Sequence, residues 1–347
     1  MPKRSVTRQP PALLALCLSL VLVFMIPYSA LAVAQSMEQL AAEAAKGESI
    51  IWYGSETRDQ TNKIAAAFHK SFPKVPLKPL RITGGVMAGK IIQEAQTGAR
   101  TADVGSCGAG STFNMDQRKL LANIDWVGEG MPKESVWGKS VVTSASVYAV
   151  IYNTKLVKPA EAPQTWEDLL NPRWKGRLGC WISSGGFAQL AKAWGEEKVT
   201  SYLEKFVSQK PFLFRSTYPM AQQVAAGEIP VAFGFYHTAQ PPMAAGAPLQ
   251  VAFMDPTPVS SILSSVIANS ANLAGGKLLI RWLCSPKGAK VYEEITYRGN
   301  PMTEGTKTYE LLKGKKLSEY SLEEMDLVRK LMNKYNDIIR SGGVEKK

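Results

Sequence analysis

The stretch ESIIWYGSETRDQTNKIAAAFHKSF, residues 48–72, changes its apolar period once, and that change decides the fold class. Residues 48–54 form a short continuous apolar run closed by Gly54, the pattern of a buried strand. Thr57 and Gln60 then stand at the spacing of a capping box, and Ile64, Phe68 and Phe72 recur at helical intervals. A strand running straight into an amphipathic helix is the first half of a βαβ unit. The next segments repeat the alternation. VPLKPLRIT (75–83) reads as a second strand, whose prolines suit a sheet edge. Thr83-Gly84-Gly85 opens a helix carrying Met87, Ile91 and Ile92, and TADVGSCG (101–108) is a third strand ending in glycine. This rhythm predicts an α/β fold with a largely parallel sheet covered by helices.

The rhythm restarts further on. SASVYAVIYNTKL (144–156) is β-rich and apolar, and a Pro-rich loop follows it. RLGCWISSGG (177–186) is a strand meeting Ser183 or Ser184 as a helix cap, with Phe187, Leu190, Ala191 and Trp194 on one face of the helix. PFLFRSTY, a helix ending at Gly227, and IPVAFGFY (229–236) complete a second α/β unit. From about residue 265 the pattern turns helical, and Ser321-x-x-Glu324 is a capping box for a last helix near 322–340. Two α/β lobes are expected, with the chain passing between them more than once. About 310 residues beyond the leader described next is also more than one core ordinarily supports.

Residues 1–34 read as a secretory signal peptide. Lys3, Arg4 and Arg8 form a basic start, an apolar run follows from Ala12 to about Ile26, and SALAVAQ offers small residues for cleavage after Ala32 or Ala34. The run is short for a bilayer span, which needs about 20 apolar residues. Loss of the leader takes the 41 basic residues to 38 against 29 acidic ones, a formal charge of +9. The cations are scattered, and no run alternates them with aromatics, so a nucleic-acid partner is not expected. A bias toward anionic ligands or membrane surfaces is. Cys107, Cys180 and Cys284 show no C-x-x-C spacing and read as buried structural thiols.

The most specific stretch is PQTWEDLLNPRWKGRLG (163–179). It resembles a segment of bacterial extracellular solute-binding proteins in the ferric-iron-binding and related branch. IIWYGSETRD, the ADV strand end, VYAVIYNTKL, VAAGEIPVAFG and LIRWLCSPKGAKVYEE followed by RGNPM match in the same order. The resemblance implies a two-lobed type II periplasmic-binding-protein fold, each lobe a mixed sheet flanked by helices, with the ligand cleft between lobes. On that reading residues 35–148 and 255–347, with the C-terminal helices, form the N-lobe and residues 149–254 the C-lobe. Closure would hinge near 146–152 and 251–256. The implied partner is the permease of an ABC importer in the inner membrane, with the protein itself a periplasmic monomer. No enzymatic activity and no cofactor are expected.

Ligands of open α/β sheets sit at the carboxyl ends of strands, near helix starts. This rule makes Ser183, Ser184, Gly185 and Gly186 candidates for binding an anion through hydroxyls and free amides. Ser55, Glu56 and Thr57 follow the first strand; Gly85, Ser106 and Cys107 follow the other two. Arg215, at the end of an apolar strand, suits a carboxylate or phosphate, and Arg298 is a weaker candidate of the same kind. Tyr236 and His237, in FGFYHTAQ, close the set.

Ferric-binding members of the branch use adjacent tyrosines, helped by a histidine and a glutamate. Aligned without gaps, the tyrosine pair falls on His237 and Thr238, the histidine on Thr57 and the glutamate on Gly108. A one-residue slip recovers only Tyr236 and Glu56, so an iron shell would be Tyr236, His237 and Glu56. No metal is expected. The preferred ligand is a small organic anion, a carboxylate, phosphonate or phosphate ester. Trp52, Trp181 and Phe235 are near strand ends and suited to stacking on a ring. Gly84–Ile91 fits G-x-x-x-x-G-K, but Ile91 stands where a magnesium-binding hydroxyl must be. Cys107 with His237 has no local motif behind it as nucleophile and base, and the G-x-S-x-G and H-E-x-x-H patterns are absent.

Overall fold

A computed structural model describes residues 34–345 together with Met1. The expected leader, apart from its two end residues, therefore lies outside the described residues. Among the described residues no helix is long and apolar enough to cross a membrane.

Helix α1 (Met37–Ala44) starts the fold behind a reciprocal Ser36–Gln39 capping box. Strand β1 (Ile50–Gly54), α2 (Arg58–Ser71), β2 (Leu77–Arg81), α3 (Gly84–Thr97), β3 (Val104–Gly108) and α4 (Ala109–Gln117) then alternate as the apolar pattern predicts. Thr57 and Gln60 form the expected capping box of α2. β1 lies between β2 and β3 and pairs with both in parallel. β2, with Pro79 inside it, is the last strand of the sheet path, as a proline-bearing strand must be.

Short β4 (Val136–Trp137) leads into β5 (Ser140–Asn153), buried along all its length. The middle of the chain gives β6 (Leu178–Trp181), α5 (Gly185–Trp194), α6 (Glu196–Ser208), β7 (Phe212–Phe214), α7 (Thr217–Ala226), β8 (Val231–Phe235), α8 (Tyr236–Ala244) and β9 (Leu249–Ala252). The last part gives β10 (Thr257–Val266), α9 (Leu273–Cys284), α10 (Pro286–Thr296), α11 (Lys307–Leu312), β11 (Leu317–Ser318), α12 (Met325–Gly342) and β12 (Val344–Glu345). Helix α8 was not legible, because Pro241 and Pro242 inside it read as loop.

The strands form one path, β12-β7-β6-β8-β5-β10-β3-β1-β2. β5 joins its two groups: one stretch pairs with β10 and another with β8 and β9. Each group has its own core. Trp52, Ile64, Phe68 and Trp282 are in one; Trp166, Phe187, Phe206 and Phe233 are in the other. At about 2 kcal/mol for each large apolar side chain buried, such clusters dominate the favourable side of folding.

The family-like stretch at 163–179 serves this second core. Trp166 has Phe187, Trp194, Tyr202 and Phe233 around it at 5.3–6.2 Å. Its Nε1 donates to Pro256 O at 3.1 Å. Trp174 donates to Asp168 O, and Asp168 Oδ2 accepts from the amides of Gln164 and Thr165.

The end of the chain departs from the sequence reading, which grouped it with the flanking segments. α12 packs on α5 and α6, and β12 pairs with β7. The cause is its apolar stripe: Val328, Leu331, Tyr335 and Ile339 are buried in the core of the middle segment. The chain thus passes between the strand groups a third time, at residues 319–324.

Candidate functional site

Strand ends and helix starts from both groups surround a cavity of about 680 Å³. Gly85 at the start of α3 and Gly108–Ser111 at the start of α4 line it from one group. Ser183 and Gly185, at the start of α5, line it from the other. Tyr148 of β5, Ser260 and Ser261 of β10, Glu319, and Met332, Asn333 and Asn336 of α12 complete the wall.

The three helix starts on this cavity share a local feature. α3, α4 and α5 have no side-chain cap, although Thr83 and Ser184 occupy two of the cap positions. Elsewhere α1, α2, α9, α10 and α11 are capped by Ser36, Thr57, Asn272, Ser285 and Thr306, while α6, α7, α8 and α12 also begin without a side-chain cap. A first turn leaves up to four amides without a helical partner, and a cap satisfies one or two of them. Uncapped starts facing a solvent-sized space are donors for an anion, aided by the helix dipole. At Gly85, Gly108 and Gly110 an added Cβ would meet nothing within 4 Å, so these turns are open.

Gly185 and Gly186 are glycines for another reason. A Cβ at Gly185 would lie 2.5 Å from the Tyr148 hydroxyl, and one at Gly186 would lie 2.7 Å from its ring. Tyr148 is packed against the α5 start and holds it in place. Ser184 is consumed by the last helix: its amide donates to Asn336 Oδ1 at 2.8 Å and its hydroxyl to Met332 O at 3.0 Å.

The cavity lining also carries a carboxyl. Glu319 accepts from the amide and, at 2.9 Å, the hydroxyl of Ser261. Burial pushes its pKa up to about 7, against the pull of those two hydrogen bonds. No cation among the described residues pairs with it. Arg329, the cavity's cation, donates to Asp326 at 2.8 Å. Aromatic rings continue the wall. Phe235 lies 4.4 Å from Tyr148 and 5.2 Å from Trp181, centroid to centroid.

Of the residues singled out from sequence, Gly85, Ser183 and Gly185 reach the cavity. Ser55 is partly buried beside it in sequence but not on its lining. Thr57 is exposed and caps α2. Ser106 is buried, accepting from Trp52 Nε1 at 2.8 Å and bonded to Ser264 Oγ at 2.6 Å, which places Trp52 in the core. Cys107 is buried against Thr112, and burial pushes its thiol up to about 11, which removes it as a nucleophile. Arg215 points away: its side chain is 81% exposed and pairs with Glu345 at 3.1 Å. Trp181 and Phe235 do line the cavity.

Glu56, His237 and Arg298 meet elsewhere, in a buried network. Arg298 donates to His237 Nε2 from Nη2 at 3.1 Å, and its Nη1 is 3.9 Å from Glu56. Tyr292 donates its hydroxyl to the same Glu56 carboxylate. Burial, then the Arg298 charge, hold the His237 pKa well below its usual value. Tyr236 faces a second cavity of about 450 Å³ with Glu293 and Lys307. Burial and Glu293 push its phenol up to about 12. Tyr236, His237 and Glu56 do not converge, and a guanidinium stands between the latter two. Among the described residues no three His, Cys, Asp or Glu side chains are grouped to hold a metal ion.

With this geometry in place, residues 54–290 match the family model described as bacterial extracellular solute-binding protein. The chain belongs to that family. Members are the substrate-binding components of ABC transport systems, which deliver a small molecule to a permease, and they are not enzymes. Solved structures share the fold. Iron-bound HitA from Pseudomonas aeruginosa is 16% identical with a TM-score of 0.69, covering 84% of this chain and 99% of its own. AfuA from Actinobacillus pleuropneumoniae, with exogenous fructose-6-phosphate bound, is 23% identical with a TM-score of 0.68, covering 84% and 98%. An uncharacterised Haemophilus influenzae protein is 24% identical over 138 residues, 38% of this chain and 40% of that protein.

Proposed function

We propose that this family member captures a small anionic organic solute, a carboxylate, phosphonate or phosphate ester, and hands it to its importer. The observation that carries the reading is the convergence of three uncapped helix starts, α3, α4 and α5, on one cavity. A volume of about 680 Å³ is in the range of small-molecule sites, about 300–1,000 Å³. AfuA, whose structure holds a phosphate ester, supports the same class. Capture takes place in the periplasm by a monomer whose leader, residues 1–34, has been removed, with closure about β5 and the residues joining β9 to β10.

The ferric alternative has the likeness to HitA behind it and the side chains against it. Arg298 already serves as the cation between Glu56 and His237, and Tyr236 turns to the other cavity. A ferric ion there would have to expel a guanidinium. Thermal shift assays of the chain from residue 35, with phosphate, carboxylate and phosphonate panels, test the proposal. At least one class is expected to raise the melting temperature of a colourless protein. A coloured protein bleached by a chelator, with no response to organic anions, would overturn it.

A further inference from the structure

Resting on that reading, we propose that Glu319 binds an amine of the ligand, so that the solute pairs an anionic group with a cationic one. Two kinds of group on the lining of one cavity carry the argument. Uncapped amides of α3, α4 and α5 offer donors to this cavity, which recognise an anion. The Glu319 carboxyl faces the same space from the segment where the chain crosses for the third time.

A carboxyl in such a place needs partners. Its two hydrogen bonds both come from Ser261, one to each oxygen, so each oxygen keeps a lone pair free. The double bond to one residue also fixes the orientation of the carboxyl. Poorly solvated carboxylates are stable only when paired, and no side chain among the described residues supplies the cation. An ammonium arriving with the ligand would complete the set. On the same lining, Tyr148, Trp181 and Phe235 present ring surface, which attracts an ammonium more than a neutral hydroxyl. A ligand with only negative charge would meet Glu319 as a repulsive group. The carboxyl thus acts as a filter within the anion class, admitting zwitterions and disfavouring their amine-free analogues.

Matched pairs of probes test this by calorimetry: ethyl phosphate against phosphoethanolamine, and propionate against β-alanine. In the wild-type chain the amine-bearing member of at least one pair is expected to bind about tenfold to a hundredfold more tightly, the range for one charge-assisted hydrogen bond. Glu319→Gln should erase that preference while leaving the amine-free partner unweakened, with circular dichroism reporting that the variant is folded. Equal affinity within each pair in the wild type would overturn the inference and leave the anion reading standing. A preference that survives in Glu319→Gln would also overturn it. Failure of every probe to bind would remove the anion reading, and this inference with it.

Discussion

Glu56 and Glu319 are two carboxyls removed from solvent in one chain, and they are handled in opposite ways. Glu56 has its cation inside the fold, Arg298, together with a hydroxyl from Tyr292. Glu319 has two donors from Ser261 and no cation, and it faces a cavity. In the first arrangement the cation comes from the protein, although Glu56 Oε2 and His237 Nδ1 keep no hydrogen-bond partner among the described residues. The second is open, and what it lacks must come from outside. In a binding protein, candidate ligand residues are better ranked by unmet electrostatic need than by residue type.

Breaking the buried network should give the largest effect. Arg298→Met leaves Glu56 without its cation and His237 Nε2 without its donor, and is expected to cost about 3 kcal/mol or more in urea denaturation. A loss below about 1 kcal/mol would show that Arg298 does not answer the Glu56 charge.

The open region should respond with the opposite sign. Glu319 has a folded pKa of about 7 above an ordinary value of 4.5. Its contribution is therefore most favourable below pH 4.5 and is lost as the pH rises through 7. Glu319→Gln should stabilise the ligand-free protein by on the order of 2 kcal/mol at pH 8 and flatten the profile between pH 4.5 and 7. His237, whose pKa is lowered, works in the other sense: its stability is present above its ordinary range and lost on acidification. The variant separates the two. Unchanged stability at pH 8 would mean that water, rather than protein, surrounds Glu319.

Smaller effects sharpen the contrast between helix starts. Thr57→Ala removes a working cap and is expected to cost about 1 kcal/mol. Thr83→Ala removes a side chain that makes no capping bond, and should stay within about 0.5 kcal/mol. Gly85→Ala places a methyl where nothing lies within 4 Å, so the melting temperature should barely move. Because Gly85 lines the cavity, affinity for an anionic ligand should nonetheless fall.

The alternation from β1 to β3 was legible because strand and helix periods differ and Gly54, Gly84 and Gly108 punctuate them. Thr57–Gln60 and Ser321–Glu324 were read correctly as capping boxes, since that motif is local. The site was legible only where it is local too, at Gly85, Ser183 and Gly185 and at the strand-end rings of Trp181 and Phe235. Glu319 was missed because its role is set by Ser261, 58 residues away, and by a third crossing of the chain. The last helix was read from its capping box, Ser321-x-x-Glu324, and not from its apolar stripe. Asn333 and Asn336, one turn apart beside that stripe, were the available sign that it also meets polar groups. Arg215 failed for a physical reason: nothing in an isolated strand end tells whether the next side chain turns inward or to solvent.

Amide chemical shifts of the isotope-labelled chain, titrated with phosphoethanolamine, test the central claim most directly. The account predicts that the largest changes fall on the first turns of α3, α4 and α5, around Gly85, Gly110 and Gly185. No changes there, or changes centred on the second cavity beside Tyr236 and Lys307, would contradict it.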